Sequence, residues 1–498
     1  MVEVLSSSLP NKRETLQFTW NKPLVLVGLG LHAKRIYMHY FKKYKLAPKL
    51  IVELESQRQL VMEYLELHGL NIDTLFIADE CRDEEEISEY DQRKLLKRIR
   101  DHGITHAVIS TEPKAHYAYL KFFISNRIHT LTDKPITSPL HVSTQAESAQ
   151  RILEQYEHLA ALYRQAKIDG VLCEVQCQRR WHQGYLYVRE TLRACLEKFK
   201  IPITGIEIYH CDGMWNMPDE FLTRENHPYK YGYGKLFHSG YHFIDLMSWL
   251  LKLNFSLEEK AADHVEMYSM ITRPDDFMEA INHQDYRRIF KTEKFTEVFN
   301  ERANGRLSQF GEIDFYSLLQ FTRKGKVMTT CSLNLLQNGF SRRAWTELPS
   351  DTYKSNGRVR HERANIQVGP LMNIQVHSYQ SKQIQDRCWD KDNLTGSLEH
   401  FEIYIFRNTD IIGGKPFEKI TIDDLSCPSN NELFIGFNEQ SRETCLLEFL
   451  SGQNRHSDLL DHELSIKILS NAYKSICSRN SGGTPTVTFP LDEHLKCQ

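Results

Sequence analysis

His238 and His242 stand four residues apart in Gly232–Asp245, which reads G-Y-G-K-L-F-H-S-G-Y-H-F-I-D. Phe243, Leu246, Met247, Leu250 and Leu251 follow at i, i+3, i+4, i+7 and i+8, the apolar stripe of a buried helix. If that helix takes in both histidines, they share one face, a turn apart. At a helix N-terminus the dipole disfavours imidazolium, which keeps both rings available as proton acceptors near neutral pH. Two other readings compete: a satisfied structural pair, and a zinc site made with Asp245. The metalloprotease pattern H-E-x-x-H, however, needs a glutamate where this chain has Ser239.

A second group of chemistry-bearing residues lies at Pro23 to Ala33, P-L-V-L-V-G-L-G-L-H-A. Leu24 to Val27 suits a strand buried on both faces. Gly28 then permits a tight turn, Gly30 has no Cβ to block a pyrophosphate, and Ala33 is small enough for close helix packing. The helix that follows, through Lys34 to Met38, would hold phosphate charge on its free N–H groups. Leu31 and His32 fall inside this turn and join Gly28, Gly30 and Ala33 as cofactor-binding candidates. Lys49 to Glu53 reads as a second buried strand ending in an acid. An acid ~20 residues beyond the glycines accepts the ribose hydroxyls, so Glu53 favours NAD over NADP. Ser56 and Arg58, just beyond it, argue the other way, as groups able to hold a 2′-phosphate. Glu53 or Glu55 as a solvated strand end is the bland alternative.

These groups need a frame, and the first half supplies one. Ala107 to Thr111 is a buried strand, Glu112-Pro113 leads into a helix containing His116, and Ile128 to Thr132 forms the next strand, closing on Asp133-Lys134-Pro135. Such alternation describes a parallel doubly wound sheet, whose ligands bind beyond the strand C-termini. Thr111, Pro113, Asp133 and Lys134 all lie at such ends.

The three stretches together resemble the glucose-fructose oxidoreductase / inositol dehydrogenase (Gfo/Idh/MocA) family. The likeness is carried by G-L-G-L-H-A at 28 to 33, S-T-E-P-K-A-H at 110 to 116 and T-D-K-P-I at 132 to 136, with Asp133 in place of the family's glutamate. The resemblance implies that Lys134 reaches both nicotinamide and the substrate hydroxyl, with a proline after it that is often cis. It implies cofactor contacts for Thr111, Pro113, His116 and Asp133. The family's second pattern, G-G-G-x-x-x-D-x-G-x-H-x-x-D, matches at both outer glycines, Gly240, His242 and Asp245. Tyr233 and His238 depart from it. His242 then becomes the general acid/base, and His238, which supplies no fixed negative charge, a second proton relay or substrate donor. Arg180, in Q-R-R-W at 178 to 181, Lys235 and Asp245 are substrate-binding candidates.

Further along, Val171 to Cys177 alternates like an exposed-face strand of a second sheet. Strands are expected at Ile313 to Phe321, Val327 to Leu336, Ile366 to Val376 and Phe401 to Phe406, making a large open, mainly antiparallel sheet. The segment 457 to 475 resembles the family's closing helix. The expected fold is therefore α/β. A Rossmann domain at 21–145 follows an extension at 1–20, and an α+β domain at 146–480 carries insertions near 254–310 and 341–362, with a tail at 481–498.

A chain of 498 residues, 41% hydrophobic and 26% charged, has enough core for two domains. Its 62 Lys plus Arg nearly balance 65 Asp plus Glu, which gives no basic field for nucleic acid or an anionic membrane. The 11 scattered cysteines suit a reducing compartment, and with no signal peptide or membrane span legible the chain reads as cytoplasmic. The first expectation is an NAD(P)-dependent dehydrogenase, with NAD favoured, acting on a secondary hydroxyl of a sugar, cyclitol or related polyhydroxylated compound. By resemblance it pairs into a homodimer or homotetramer through the open sheet. The alternative is a dinucleotide-binding sensor that has kept the fold and lost the chemistry.

Overall fold

Runs that are apolar on both faces form parallel strands covered by helices on either side, and the first part of the chain follows that rule. The structure is a computed structural model describing residues 22–225, 227–347, 357–381, 400–425, 436–453 and 456–492. The extension expected at 1–20 lies outside the described residues. The chain divides into two compact units. The first is made of the described parts of Met1–Ser138, Glu154–His182 and Ser429–His462, the second of Pro139–Leu153, Gln183–Pro428 and Glu463–Gln498.

In the first unit β1 (Leu24–Val27), β2 (Leu50–Leu54), β3 (Asp73–Ile77), β4 (His106–Ile109), β5 (His129–Asp133) and β6 (Cys173–Gln176) form one sheet in the order β3-β2-β1-β4-β5-β6. All its pairings are parallel. The chain order reverses beside β1, the switch point at which such sheets bind their ligands. Leu24, Leu26, Val108 and Leu131 share a core with Ile36, Tyr37 and Phe41 and with Cys445, Leu446 and Phe449 of the helix Phe437–Leu450.

β6 corrects the expectation for 171–177. It pairs with β5 and is buried at every position, rather than edging a second sheet. Its alternation misleads because Glu174 faces no solvent. Burial, reinforced by Glu448 and Asp458, pushes its carboxyl well above the ordinary range.

The second unit holds a nine-stranded sheet of β7 (Gly205–Met214), β8 (His264–Thr272), β9 (Asp314–Arg323), β10 (Lys326–Asn338), β11 (Val359–Val368), β12 (Met372–Ser381), β13 (His400–Arg407), β14 (Phe417–Thr421) and β15 (Thr486–Pro490). Its order is β14-β13-β12-β11-β7-β10-β9-β8-β15. Only the β7–β10 pair is parallel. Ile206, Ile208, Leu319, Leu333, Ile366, Ile374 and Ile403 are buried on one face, where helices Gln183–Phe199, Tyr241–Phe255 and Glu463–Asn480 pack.

Three further expectations change. The strand read at 366–376 is a hairpin of β11 and β12, turned at Gly369-Pro370-Leu371, with Gly369 at φ +48°. The region near 254–310 is not wholly an insertion, since 264–272 is β8 within the sheet. The remainder folds as short helices over a core that includes Phe221, Tyr229, Met278, Leu307 and Ile313. Within the segment read as a tail, Thr486–Pro490 is β15, its β-branched alternation turning Phe489 inward.

Candidate active site

The turn after β1 is built as its glycines require. Gly28 has φ +88°, and a Cβ on it would lie 2.5 Å from the Ser110 carbonyl oxygen, so only glycine fits between β1 and β4. A Cβ on Gly30, by contrast, would meet nothing within 4 Å. The helix beyond runs without a break through Leu31–Ala33, a π-helical segment Lys34–Met38, and His39–Lys43. Ala33 is buried against the sheet and Leu31 is exposed. The first-turn N–H groups of such a helix have no intrahelical acceptor and favour an anion.

Glu53 is drawn to this turn. Its Oε2 accepts the Leu29 N–H at 2.7 Å and its Oε1 that of Leu54 at 2.9 Å. A carboxylate oxygen has capacity beyond one bond, so Glu53 is fixed in place and still able to accept from a ribose.

Asp133 lies beneath the same turn. It accepts from Tyr37 Oη and Ser110 Oγ, each at 2.7 Å, and has His32 Nε2 at 3.6 Å. Burial alone would raise its pKa, but the charge and hydrogen bond of His32, with the bonds from Tyr37 and Ser110, outweigh that and hold the carboxyl well below the usual range. Asp133 and His32 thus act on each other. The Lys134–Pro135 peptide bond is cis.

His116 is almost fully buried, with Nδ1 2.6 Å from the Pro135 carbonyl oxygen and Nε2 3.3 Å from that of Thr111. Burial lowers its pKa. It ties the loop after β4 to the loop after β5, which is a positioning role. Pro113 opens a 3-10 turn, and Thr111 is half-buried. Arg180 also points inward, to the His456 carbonyl at 2.7 Å and toward His462 Nδ1 at 3.5 Å. Its place inside the first unit is that of an anchor for 456–462.

In the second unit the glycine-rich stretch is locked from several sides. Gly232 has φ +71°, and a Cβ on it would lie 2.6 Å from the His141 Cα. A Cβ on Gly234 would fall on the carbonyl oxygen of Glu312. Glu312 Oε1 accepts the Leu236 N–H and the Tyr473 hydroxyl, both at 2.8 Å, satisfying a donor at the start of the helix. Leu236–Gly240 is π-helical and Tyr241–Phe255 α-helical. His238 stands in the π-helical part and His242 in the α-helical part of this run.

Both histidines are buried. The His238 ring stands edge-on to His227, Tyr229 and Tyr233 at centroid distances of 4.8, 5.4 and 5.9 Å. Among the described residues neither histidine belongs to a cluster of three metal-ligating side chains. Asp245 is buried and accepts from Ser465 Oγ at 3.1 Å.

Lys235 is fully buried. Its Nζ donates to Asp212 Oδ2 at 2.7 Å and Ser239 Oγ at 2.8 Å, and lies 3.0 Å from His210 Nδ1. Arg358 donates to the Asp212 carbonyl at 3.0 Å and to Oδ1. Burial works against the Asp212 charge, but Lys235 and Arg358 more than reverse it and hold the carboxyl well below its ordinary range. Sequence reasoning had singled out Lys235 alone. The legible signal for its partners was His210 and Asp212, polar residues closing the apolar alternation of β7.

No protein-family model and no curated protein matches the chain. Solved structures do. An oxidoreductase from Agrobacterium radiobacter in complex with NAD+, L-tartaric acid and magnesium is similar over 94% of this chain and 98% of its own, at 12% identity and a TM-score of 0.53. Levoglucosan dehydrogenase in complex with NADH and L-sorbose is similar over 95% and 100%, at 13% identity and 0.53. An inositol dehydrogenase homologue from Azotobacter vinelandii complexed with NAD+ is similar over 95% and 98%, at 12% identity and 0.52. At such identities the likeness is one of fold, and the fold of this chain is the one these oxidoreductases share.

Proposed function

We propose that the chain is an NAD(P)-dependent oxidoreductase acting on a secondary hydroxyl, or the matching ketone, of a sugar, cyclitol or related polyhydroxylated compound. The observation that carries the reading is the turn after β1. There an open Gly30 fronts a helix start, and Glu53 is pinned beside it by the Leu29 N–H. That is a phosphate cradle with a ribose acceptor, and Gly28, Gly30, Leu31, His32, Ala33 and Glu53 would hold the dinucleotide. The three similar solved structures named above hold NAD+ or NADH, and two of their names include inositol and levoglucosan.

When bound, the nicotinamide supplies the hydride acceptor or donor. By the resemblance, Lys134 is the candidate to orient a carbinol, and His242 is the candidate general acid/base for a hydroxyl proton. His238, ringed by aromatic groups, serves as a second relay, and Asp133 keeps His32 and the glycine turn in register. The buried Lys235–Asp212 pair fixes the start of the helix that carries His242.

The same reading pairs copies of the chain through the sheet face bearing Leu318 and Met270, which are 63% and 38% exposed. Light scattering on the purified chain tests that pairing. Among the described residues no helix is long and apolar enough to cross a membrane and no cysteine is in a disulfide, and a cytoplasmic setting belongs to the same proposal.

The decisive experiment is a fluorescence titration with NADH and NADPH, followed by turnover assays over sugars and cyclitols. Lys134→Met should lower turnover about 10²-fold or more with the melting temperature unchanged. Near-normal turnover in that variant removes Lys134 from the mechanism, and binding without turnover of any polyol points to the sensor reading.

A further inference from the structure

We propose that Glu55 and Asp79 form a carboxylate gate that sets the first unit's preference for NAD(H), by occupying the two residues that would otherwise hold the 2′-phosphate of NADP(H). The inference rests on the dinucleotide reading above.

Ser56 and Arg58 lie just past the end of β2, beyond Glu53, where a ribose 2′-substituent is read in a sheet of this kind. From the sequence they argue for NADP. In the structure both are already engaged. The Ser56 N–H donates to Asp79 Oδ2 at 3.0 Å and its hydroxyl to Oδ1 at 2.5 Å, so one carboxylate takes both donors of that residue. Arg58 donates through Nε and Nη2 to the two oxygens of Glu55, at 2.5 and 2.7 Å, a bidentate fork. Its guanidinium also stacks over Phe76, 4.1 Å from the ring centroid, which fixes its direction. The bond from Arg58 holds the Glu55 carboxyl below its ordinary range, so it stays charged at physiological pH.

Asp79 reaches this place through register. Leu54 at the end of β2 pairs with Ile77 at the end of β3, so the residues after both strands emerge side by side. Three carboxylates, Glu53, Glu55 and Asp79, thereby stand near one strand end, with Arg58 paired to Glu55 and so offsetting one of the three charges. A 2′-hydroxyl brings no charge to it, whereas a phosphate monoester brings nearly two. Like charges at short range repel even in a solvent-exposed setting. The structure thus contains a phosphate-binding pair, Ser56 and Arg58, masked by two carboxylates.

The test is isothermal titration calorimetry of the full chain with NADH and with NADPH, on the wild type, Glu55→Ala, Asp79→Ala and the double variant. Glu55 is exposed and Asp79 half-buried, and thermal melts verify that each variant is folded. The wild type should bind NADH more tightly by on the order of tenfold, and each single change should narrow that ratio. The double variant should gain on the order of ten- to a hundredfold in NADPH affinity, with NADH affinity kept within about threefold. A wild type preferring NADPH, or a double variant that binds NADH with an unchanged ratio, overturns the gate. A wild type that binds neither overturns the dinucleotide reading itself, and the gate with it.

Discussion

The two glycine-rich helix starts look alike in sequence and do opposite things in space. In the first, Gly28 is pressed against Ser110, but Gly30 has open space where a side chain would stand. In the second, Gly232, Gly234 and Gly240 each abut backbone, of His141, Glu312 and Lys235 respectively. One turn uses a glycine to leave room for a partner outside the chain. The other uses its glycines to close the chain on itself, over a buried charge pair. The second helix starts with a π-helical segment and the first reaches one just after Leu31–Ala33, so the local irregularity is shared and the packing is not.

That contrast can be broken in graded ways. The largest loss is expected beneath the second turn. Asp212→Ala would strand Lys235 and Arg358 without their shared carboxylate, costing about 3–5 kcal/mol in a denaturant melt. A loss under about 1 kcal/mol would mean that this pair does not brace the turn. Gly234→Ala comes next, at about 3 kcal/mol, because the added methyl collides with the carbonyl of Glu312.

The first turn should respond more mildly. Asp133 has its pKa held below its ordinary 3.8, so its stabilisation is full above that value and is lost as pH falls through the lower folded-state value. Asp133→Asn should cost about 2 kcal/mol at neutral pH and flatten the decline in stability below about pH 4. An unchanged acid limb would show that Asp133 does not carry it. The smallest effect on folding belongs to Gly30→Ala, within about 0.5 kcal/mol, while affinity for NADH drops about tenfold. If that variant binds NADH normally, the space before Gly30 is not where the phosphates lie.

Where a residue's type dictates its surroundings, the sequence was readable. Four consecutive apolar residues at Leu24–Val27 have few homes other than a doubly covered strand, and Gly28 at positive φ follows from the turn they need. Glu53 was legible for the same reason, as an acid ending such a strand. Distant partners were not readable. Asp79 lies 23 residues from the Ser56 it binds, and Asp212 lies 146 from Arg358, separations that only sheet register brings together. Polarity also misled where an acid is buried, as at Glu174, and where a Gly-Pro turn divides one apolar run into two strands, as at Gly369.

The first unit closes its core with a late piece of the chain. The helix Phe437–Leu450 lays Cys445, Leu446, Phe449 and Leu450 against Leu24, Leu26 and Phe41. It receives Trp181 Nε1 on Glu448 at 2.9 Å and the Tyr40 hydroxyl on the Glu439 carbonyl at 2.7 Å. On a ribosome, which makes residues 22–138 long before 437–450, the nascent parallel sheet must wait with one apolar flank uncovered. Chaperone occupancy of that flank should persist until the helix emerges, and a stop codon before residue 437 should yield aggregate rather than a shortened protein.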